Sequence, residues 1–353
     1  MINIDLNTYN MLPQLPDCFT VDGLTESANV SVIIDGESVY STTLALYEGQ
    51  VKFYGLRDII AQAMENKALA TPVCRFKVTA TSGSDTMQTS EVYVIYAAYT
   101  PANITAERFV EMKFLSSRTY IELPAEAPCR ISMMVTTAGL SPVVWALFRK
   151  NDVIQAVKVS LEPVTAQTPC IVQLDVAPAT VKALADVQYG TDCGTIVAYN
   201  VYAGERKMAL FVRNEEPEVI FTFRNAFNTD EQAYIYGSSK LITTVDRKEA
   251  VCMNRKSYYD EGVTRKREVT TEALSLETSA WLNELFTSKH VTTDVGGGKE
   301  AVVLISDITS EISDGPDAVN RHKFSWEFDD KQQWLNISGH ERVFTDEYIR
   351  VFK

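Results

Sequence analysis

One stretch, Cys74-Arg75-Phe76-Lys77-Val78-Thr79-Ala80, alternates apolar and polar residues at every position. Successive side chains of a β-strand point to opposite faces, so this period of two predicts a strand with one buried face. The same interpretation applies to the stretches 131–135, 219–223 and 322–328. In the last of these, the three aromatic side chains share one face, and His322 lies on that apolar face as a half-buried core histidine.

Turn signals separate the predicted strands. The pairs Asp35-Gly36, Glu48-Gly49 and Glu261-Gly262 each predict a two-residue hairpin turn, because glycine and its neighbour must both accept a positive φ there. Short strands with turns at this spacing favour antiparallel sandwiches or barrels over a parallel sheet with crossover helices.

Few segments have helical periodicity. Apolar residues recur at helical spacing in 56–66 and in 278–289, the latter behind a Thr or Ser N-cap, and a shorter helix is predicted for 179–187 after a proline.

The length of 353 residues predicts two or three domains, at about 100 to 200 residues each. We expect a mainly β fold with two N-terminal antiparallel β-sandwich-like domains and a C-terminal α+β domain with one prominent helix. The predicted domains are 1–102, β-sandwich-like with one helix; 103–212, β-sandwich-like; and 213–353, α+β with a basic hairpin and the helix 278–289.

Composition excludes several classes of function. The net charge of −13 argues against general binding of nucleic acid or anionic membranes. No stretch of about 18 apolar residues occurs, so no membrane span is expected. The first ten residues have neither a basic n-region nor an apolar h-region, which predicts synthesis in the cytoplasm without a signal peptide.

The six cysteines lie tens of residues apart, mostly in apolar runs, and form no C-x-x-C pair. Structural zinc and small disulfide scaffolds usually have closely spaced cysteines, so buried, reduced thiols are predicted instead.

Two segments approach known motifs without completing them, the first also because Thr293 stands where its leading glycine should be. The glycine run 296–298 precedes Lys299, but a phosphate-binding loop needs Ser or Thr where Glu300 stands, so a connection between strands is predicted. The segment His340-Glu341-Arg342-Val343-Phe344 lacks the second histidine of a zinc protease helix. We therefore expect no catalytic residue, no metal ligand and no cofactor, and we classify the chain as a non-enzyme.

One charge pattern stands out: a basic segment, 247–267, precedes a mainly acidic segment, 300–347. It has three interpretations: a hairpin charged for solubility, complementary surfaces that meet head to tail in an assembly, or a contact with nucleic acid, which is the least expected. The predicted interaction surface comprises Arg247, Lys248, Arg255, Lys256, Arg265, Lys266 and Arg267.

A series of motifs runs from residue 221 onward. They are Phe221-Thr222-Phe223-Arg224-Asn225-Ala226-Phe227, Trp281-Leu282-Asn283-Glu284-Leu285, Leu304-Ile305-Ser306-Asp307 and Asn320-Arg321-His322-Lys323-Phe324-Ser325-Trp326. In this order they resemble tail or baseplate-like proteins carried by phages and prophages of Bacteroides-type gut bacteria.

The resemblance implies a structural protein that docks to copies of itself or to other assembly proteins, within a virion or phage-tail-like particle. The alternative is a surface adhesin or carbohydrate-binding protein of a gut bacterium, with a glycan as its partner. Export separates the two, because an adhesin has to leave the cell.

Overall fold

The computed structural model of the chain describes residues 1–66, 71–99, 104–165, 169–252, 255–296, 299–313, 315 and 319–329. For 250–252, 255, 257 and 259–261 the description covers the backbone alone. The chain forms two compact units. Unit 1 comprises Met1–Ile121, Ala125–Val212 and Asn225–Asp230, and unit 2 comprises Glu122–Pro124, Arg213–Arg224 and Glu231–Lys353.

Strands dominate the described ranges, as predicted for a mainly β protein. In chain order the strands are β1 Ile2–Asn3, β2 Tyr9–Met11, β3 Cys18–Asp22, β4 Ala28–Ile34, β5 Glu37–Leu44, β6 Gln50–Tyr54, β7 Val73–Ser82, β8 Asp85–Gln88, β9 Val92–Ile95, β10 Tyr120–Pro124, β11 Arg130–Val135, β12 Val143–Lys150, β13 Val153–Ser160, β14 Cys170–Asp175, β15 Thr195–Ala203, β16 Arg206–Arg213, β17 Val219–Arg224, β18 Asp230–Ile235, β19 Gly237–Cys252, β20 Arg255–Thr271, β21 Val291–Asp294, β22 Glu300–Glu311 and β23 Arg321–Phe328. The α-helices are α1 Leu56–Glu65, α2 Ala106–Met112, α3 Pro178–Tyr189 and α4 Leu276–Thr287, and a 3-10 turn spans Leu12–Gln14.

The first sheets of unit 1 form a sandwich-like core. The three-stranded sheet has the order β1-β3-β6, and the larger sheet has the order β2-β9-β7-β4-β5, with β8 on β7. Their apolar faces and α1 share one cluster, which includes Phe19, Val32 and Phe76. The hairpin between β4 and β5 is confirmed, with Asp35 at φ 50° and Gly36 at φ 91°.

The three predicted helices are confirmed as α1, α3 and α4, with shifted ends. Helix α4 begins two residues earlier than predicted because Ser275 is its N-cap; its hydroxyl accepts from the backbone N–H of Thr278 at 3.1 Å. Helix α2 was missed, since its seven residues are too few for a periodic signal.

A five-stranded sheet follows, with the order β10-β16-β15-β12-β13, in which β16, β15, β12 and β13 pair antiparallel. Helix α3 packs against β13 and β15. It covers the inner face of this sheet, where Phe148, Tyr199 and Val201 are buried. The two-stranded sheet β11-β14 lies in unit 1. The prediction of a half-buried β11 is wrong, because Ile131 to Val135 are all buried and both of its faces are covered.

The loop Asn225–Asp230 belongs to unit 1, although its neighbours along the chain belong to unit 2. Asn225 donates to the Leu115 carbonyl at 2.8 Å, and Asn228, at φ 58°, donates to the carbonyls of Met64 and Thr71 at 2.9 and 3.1 Å. These buried amides donate to backbone carbonyls, as buried polar side chains generally do. Part of the motif 221–227 therefore has a structural role.

Unit 2 contains a seven-stranded sheet with the order β18-β17-β21-β22-β23-β20-β19. Its core side carries Phe221, Phe223, Val269, Phe324 and Trp326, packed on α4. The predicted turn at Glu261-Gly262 is wrong: both residues lie inside β20, where Gly262 pairs with Asp246.

Apart from Glu122–Pro124, the predicted domains 1–102 and 103–212 both fall within unit 1, where one apolar cluster combines Met11 and Ile95 with Phe109 and Met134. The boundary at 102–103 lies outside the described residues, so the three-domain division stays a prediction.

Candidate interaction surface

The predicted basic hairpin exists as β19 and β20. These strands pair with each other from Gly237↔Thr271 to Cys252↔Arg255. Among the described residues, β23 pairs with β20 only from Arg267 to Thr270. We call the remaining two-stranded part, 241–252 and 255–266, the arm.

The seven basic residues do not form one surface. Residues paired across the hairpin share a face, so Arg247, Arg265 and Arg267 lie on the side that carries Val269 in the core, while Lys248 and Lys266 lie on the opposite side. The Arg247 guanidinium stacks 5.1 Å from the Tyr258 ring, and that of Arg267 lies 5.9 Å from the Trp326 ring.

Lys256 forms an ion pair with Glu249 at 3.4 Å. The side chain of Arg255 lies outside the described residues.

The acidic segment meets the basic one inside the same sheet. Lys266 Nζ lies 3.6 Å from a carboxylate oxygen of Asp307 and 3.8 Å from one of Glu327. Two hydrogen bonds lower the pKa of Glu268, the one from Lys240 having the larger effect and the one from Lys323 the smaller. Part of the charge complementarity is therefore satisfied within one chain, by the neighbourhood of β22, β23 and β20.

The arm also exposes apolar side chains on both faces. Leu241, Val245 and Val263 are 58%, 47% and 39% exposed on one face, and Ile242 is 39% exposed on the other. The sequence contains this signal in the run 241–245, which has apolar residues in both alternating positions.

A cleft of about 460 Å³ in unit 1 is lined by residues that include Cys74, Cys170, Arg75 and Asp35. Arg75 Nε lies 3.6 Å from a carboxylate oxygen of Asp35, and the Asp35 carboxylate also accepts from the Arg75 backbone N–H at 2.9 Å. Burial, and then the nearby Asp35 charge, raise the pKa of Cys74 to about 12. Because the thiolate is the reactive form, Cys74 is a poor nucleophile at neutral pH.

The other close polar pair is Ser279 and His322, whose Oγ and Nε2 lie 2.6 Å apart. Both residues are 0% exposed, so a substrate has no access to the hydroxyl. His322 is thus a core histidine, buried more completely than predicted. Burial lowers its pKa.

The remaining sequence predictions have mixed outcomes. The segment 295–299 connects β21 to β22, as predicted, with the Val295 N–H donating to the Lys299 carbonyl at 2.9 Å; residues 297–298 lie outside the described residues. The segment His340–Phe344 lies outside them too, so its interpretation stays a prediction.

Cys74, Cys129 and Cys193 are buried free thiols, while Cys18 is an exposed one. Within the described ranges, no group of three His, Cys, Asp or Glu residues could hold a metal ion, and no helix has the length and apolar character needed to cross a bilayer.

Comparison with known proteins identifies no family. No family model and no curated protein match the chain. Among solved structures, the extracellular region of Plexin A4 aligns in two crystal forms, each at 10% identity and a TM-score of 0.20. The alignments cover 90% and 92% of this chain but only 39% and 31% of the plexin chain, so this chain spans well under half of that protein's length.

Proposed function

We propose that this chain is a structural protein that acts through protein–protein contacts, of the type found in the tails or baseplates of phages and prophages. In this proposal it joins a virion or phage-tail-like particle. Its partners are further copies of itself or other assembly proteins.

The arm is the observation that carries the proposal. A two-stranded ribbon is marginally stable alone in water, because it has no second layer against which to bury its side chains. The arm nevertheless exposes Leu241, Val245 and Val263 on one face and Ile242 on the other. Among the described strands, β19 is also the last of its sheet, so its outer edge offers a row of backbone hydrogen-bonding groups. A ribbon of this kind is stabilised by a protein partner that covers it.

The test is to measure the mass of assemblies by light scattering, with the chain alone and co-expressed with the products of its neighbouring genes. Val245→Asp should weaken the contact, because it replaces one of the exposed apolar side chains that the partner would cover with a charged one. Thr244→Asp is the matched control, since it adds the same charge at the next residue on the opposite face. The proposal fails if the chain remains alone in every mixture and no capsid or tail genes adjoin its own.

A second candidate function, carbohydrate binding by a surface adhesin, is favoured by Trp145. Its side chain is 47% exposed on the five-stranded sheet, paired with Asn200 and Lys158 on the neighbouring strands. An exposed aromatic ring beside polar groups suits stacking on a sugar. A glycan array tests this function, and saturable binding that Trp145→Ala abolishes would establish it in place of the assembly role.

A further inference from the structure

The five-stranded sheet of unit 1 has a second face, away from α3. The registers of β16, β15, β12 and β13 fix which residues share this outer face. Read across these four strands, the rows are Lys207, Tyr202, Val143 and Ser160; Ala209, Asn200, Trp145 and Lys158; Phe211, Ala198, Leu147 and Ala156; and, at one end of the sheet, Thr195, Arg149 and Ile154 on the last three strands.

The outer face carries several large apolar side chains that the described residues leave exposed. Trp145, Leu147, Ile154 and Phe211 are 47%, 40%, 54% and 48% exposed. The other face of β12 is already buried, with Phe148 at 0%. Strands that are apolar on both faces are typical of sheets covered on both sides. The outer face therefore has the composition of an interface.

We propose that this outer face packs against the same face of a second copy of the chain, about a two-fold axis that runs along the strands between β15 and β12. The inference rests on the proposed function and names its partner. Such an axis lays β16 over β13 of the second copy, and β15 over its β12.

The apolar residues are self-complementary under this axis. In the third row large and small side chains alternate, so Phe211 lies over Ala156 of the second copy and Leu147 lies over its Ala198. In the next row Trp145 lies over Asn200. Two sheets that pack face to face, about 10 Å apart, require this kind of interdigitation of large with small side chains.

The charges are compatible with the same arrangement. The charged residues in these rows are Arg149, Lys158 and Lys207, and each lies in a different row and on a different strand. The proposed axis sets Lys207 over Ser160, Lys158 over Ala209 and Arg149 over Thr195. No cation then faces a cation, and the lysine stems can cover the small residues opposite.

A second copy suits this face better than a glycan. The row Phe211, Ala198, Leu147 and Ala156 offers no side-chain hydrogen-bonding group, whereas sugar sites combine aromatic rings with several polar groups. A row of apolar side chains is instead typical of the centre of a homodimer interface.

One pair of residues gives a specific test. Within one copy, Phe211 and Ala156 lie three strands apart, about 14 Å at the usual strand spacing. Across the proposed interface they face each other. An opposite-charge pair at these two positions can therefore form between copies and not within one.

The experiment measures the dimer dissociation constant of the full chain by sedimentation equilibrium at micromolar concentrations. Phe211→Glu and Ala156→Arg should each raise it by about a hundredfold, because each places two unpaired charges in a two-fold interface. The double variant should recover most of the loss. Leu304→Glu is the control, since Leu304 is 52% exposed on the sheet of unit 2. Thermal melts followed by circular dichroism verify that each variant is folded.

A wild-type chain that stays monomeric, single variants that leave the dimer intact, or a double variant without rescue would each overturn the inference. The proposed function can fail separately. If Val245→Asp in the arm disrupts assembly while Phe211→Glu does not, the arm is the interface and the two-fold contact is wrong. If Phe211→Glu disrupts assembly while Val245→Asp does not, the two-fold contact is supported and the arm no longer supports the proposed function.

Discussion

Nε2 of His322 lies 2.6 Å from Oγ of Ser279, and both side chains are completely buried between β23 and α4. The ring of Phe286 stands edge-on to the imidazole, with centroids 5.5 Å apart. Nδ1 has no hydrogen-bond partner among the described residues. Burial of this kind favours the neutral imidazole, because a charged ring would lose its hydration without gaining a counter-ion.

Unit 2 should therefore lose stability in mild acid. The pKa of His322 is lowered in the folded state from its ordinary value of 6.5, chiefly by burial, so below that value the unfolded chain binds a proton that the folded chain does not. The stability is complete above the unfolded pKa and falls as pH decreases toward the folded pKa, by about 1.4 kcal/mol for each unit between the two.

Urea unfolding between pH 7.5 and 5 measures this effect. His322→Gln should flatten the pH dependence, because it removes the buried imidazole. Equal slopes in the wild type and His322→Gln would contradict the prediction.

Gly237, at the start of β19, should not tolerate a side chain. Its φ is +145°, and a Cβ atom there would lie 2.1 Å from the Thr270 carbonyl oxygen. Gly237→Ala should cost about 2 kcal/mol or more of the free energy of unfolding. Gly262→Ala in the same hairpin is the control, because no atom lies within 4 Å of its Cβ position. Tryptophan fluorescence in urea compares the two, and similar losses would refute the steric argument.

Arg213 should stabilise unit 2, because its guanidinium neutralises three carboxylates. Its guanidinium pairs with Glu272, lies 3.1 Å from Glu122 and 2.6 Å from Glu215, and stacks 4.0 Å from the Tyr236 ring. The hydrogen bond to Glu272 is the main cause that raises the pKa of Arg213.

Arg213→Met should destabilise unit 2 by about 1 to 3 kcal/mol, since the carboxylates then repel one another. Lys240→Met, which removes a more exposed ion pair with Glu268, should have a smaller effect. Thermal melts at low and high salt measure both. Added salt should reduce the loss in Arg213→Met by screening the carboxylates, and a loss that grows with salt would contradict this explanation.

The thiols should differ in their rates of modification. Cys18 is exposed, whereas Cys74 is buried with its pKa raised to about 12, so Cys74 has little thiolate at pH 8. With Ellman's reagent, Cys18→Ser should remove one equivalent from the fast phase, and Cys74→Ser should leave that phase unchanged. Loss of a fast equivalent in Cys74→Ser would show that the cleft admits the reagent.

Sequence patterns were most informative where local rules apply. The alternation in 74–80 identified β7, Asp35-Gly36 identified the turn between β4 and β5, and the apolar spacing in 278–289 identified α4. The turn predicted at Glu261-Gly262 was wrong. Glycine at this position permits a turn but does not require one, and the continuous pairing of β19 with β20 keeps the chain extended there.

The candidate site was predictable only in part. The basic residues of the hairpin were visible in the sequence, but their distribution over two faces depends on register. Their ion pairs with Asp307 and Glu327 depend on the order β22-β23-β20, which brings distant segments together. The outer face of the five-stranded sheet was missed entirely, because Trp145, Leu147 and Phe211 resemble core residues in the sequence.

The sequence by itself determined that this protein is built mainly of β-strands and where most of the longer ones lie, since side-chain alternation is a property of each strand alone. Only the tertiary structure decided which strand faces remain uncovered. The period of two separates the two faces of a strand, but neighbouring strands and helices determine which face is buried. Phe148 and Leu147 are adjacent in the chain, and the packing of α3 on one side of the sheet leaves one buried and the other exposed.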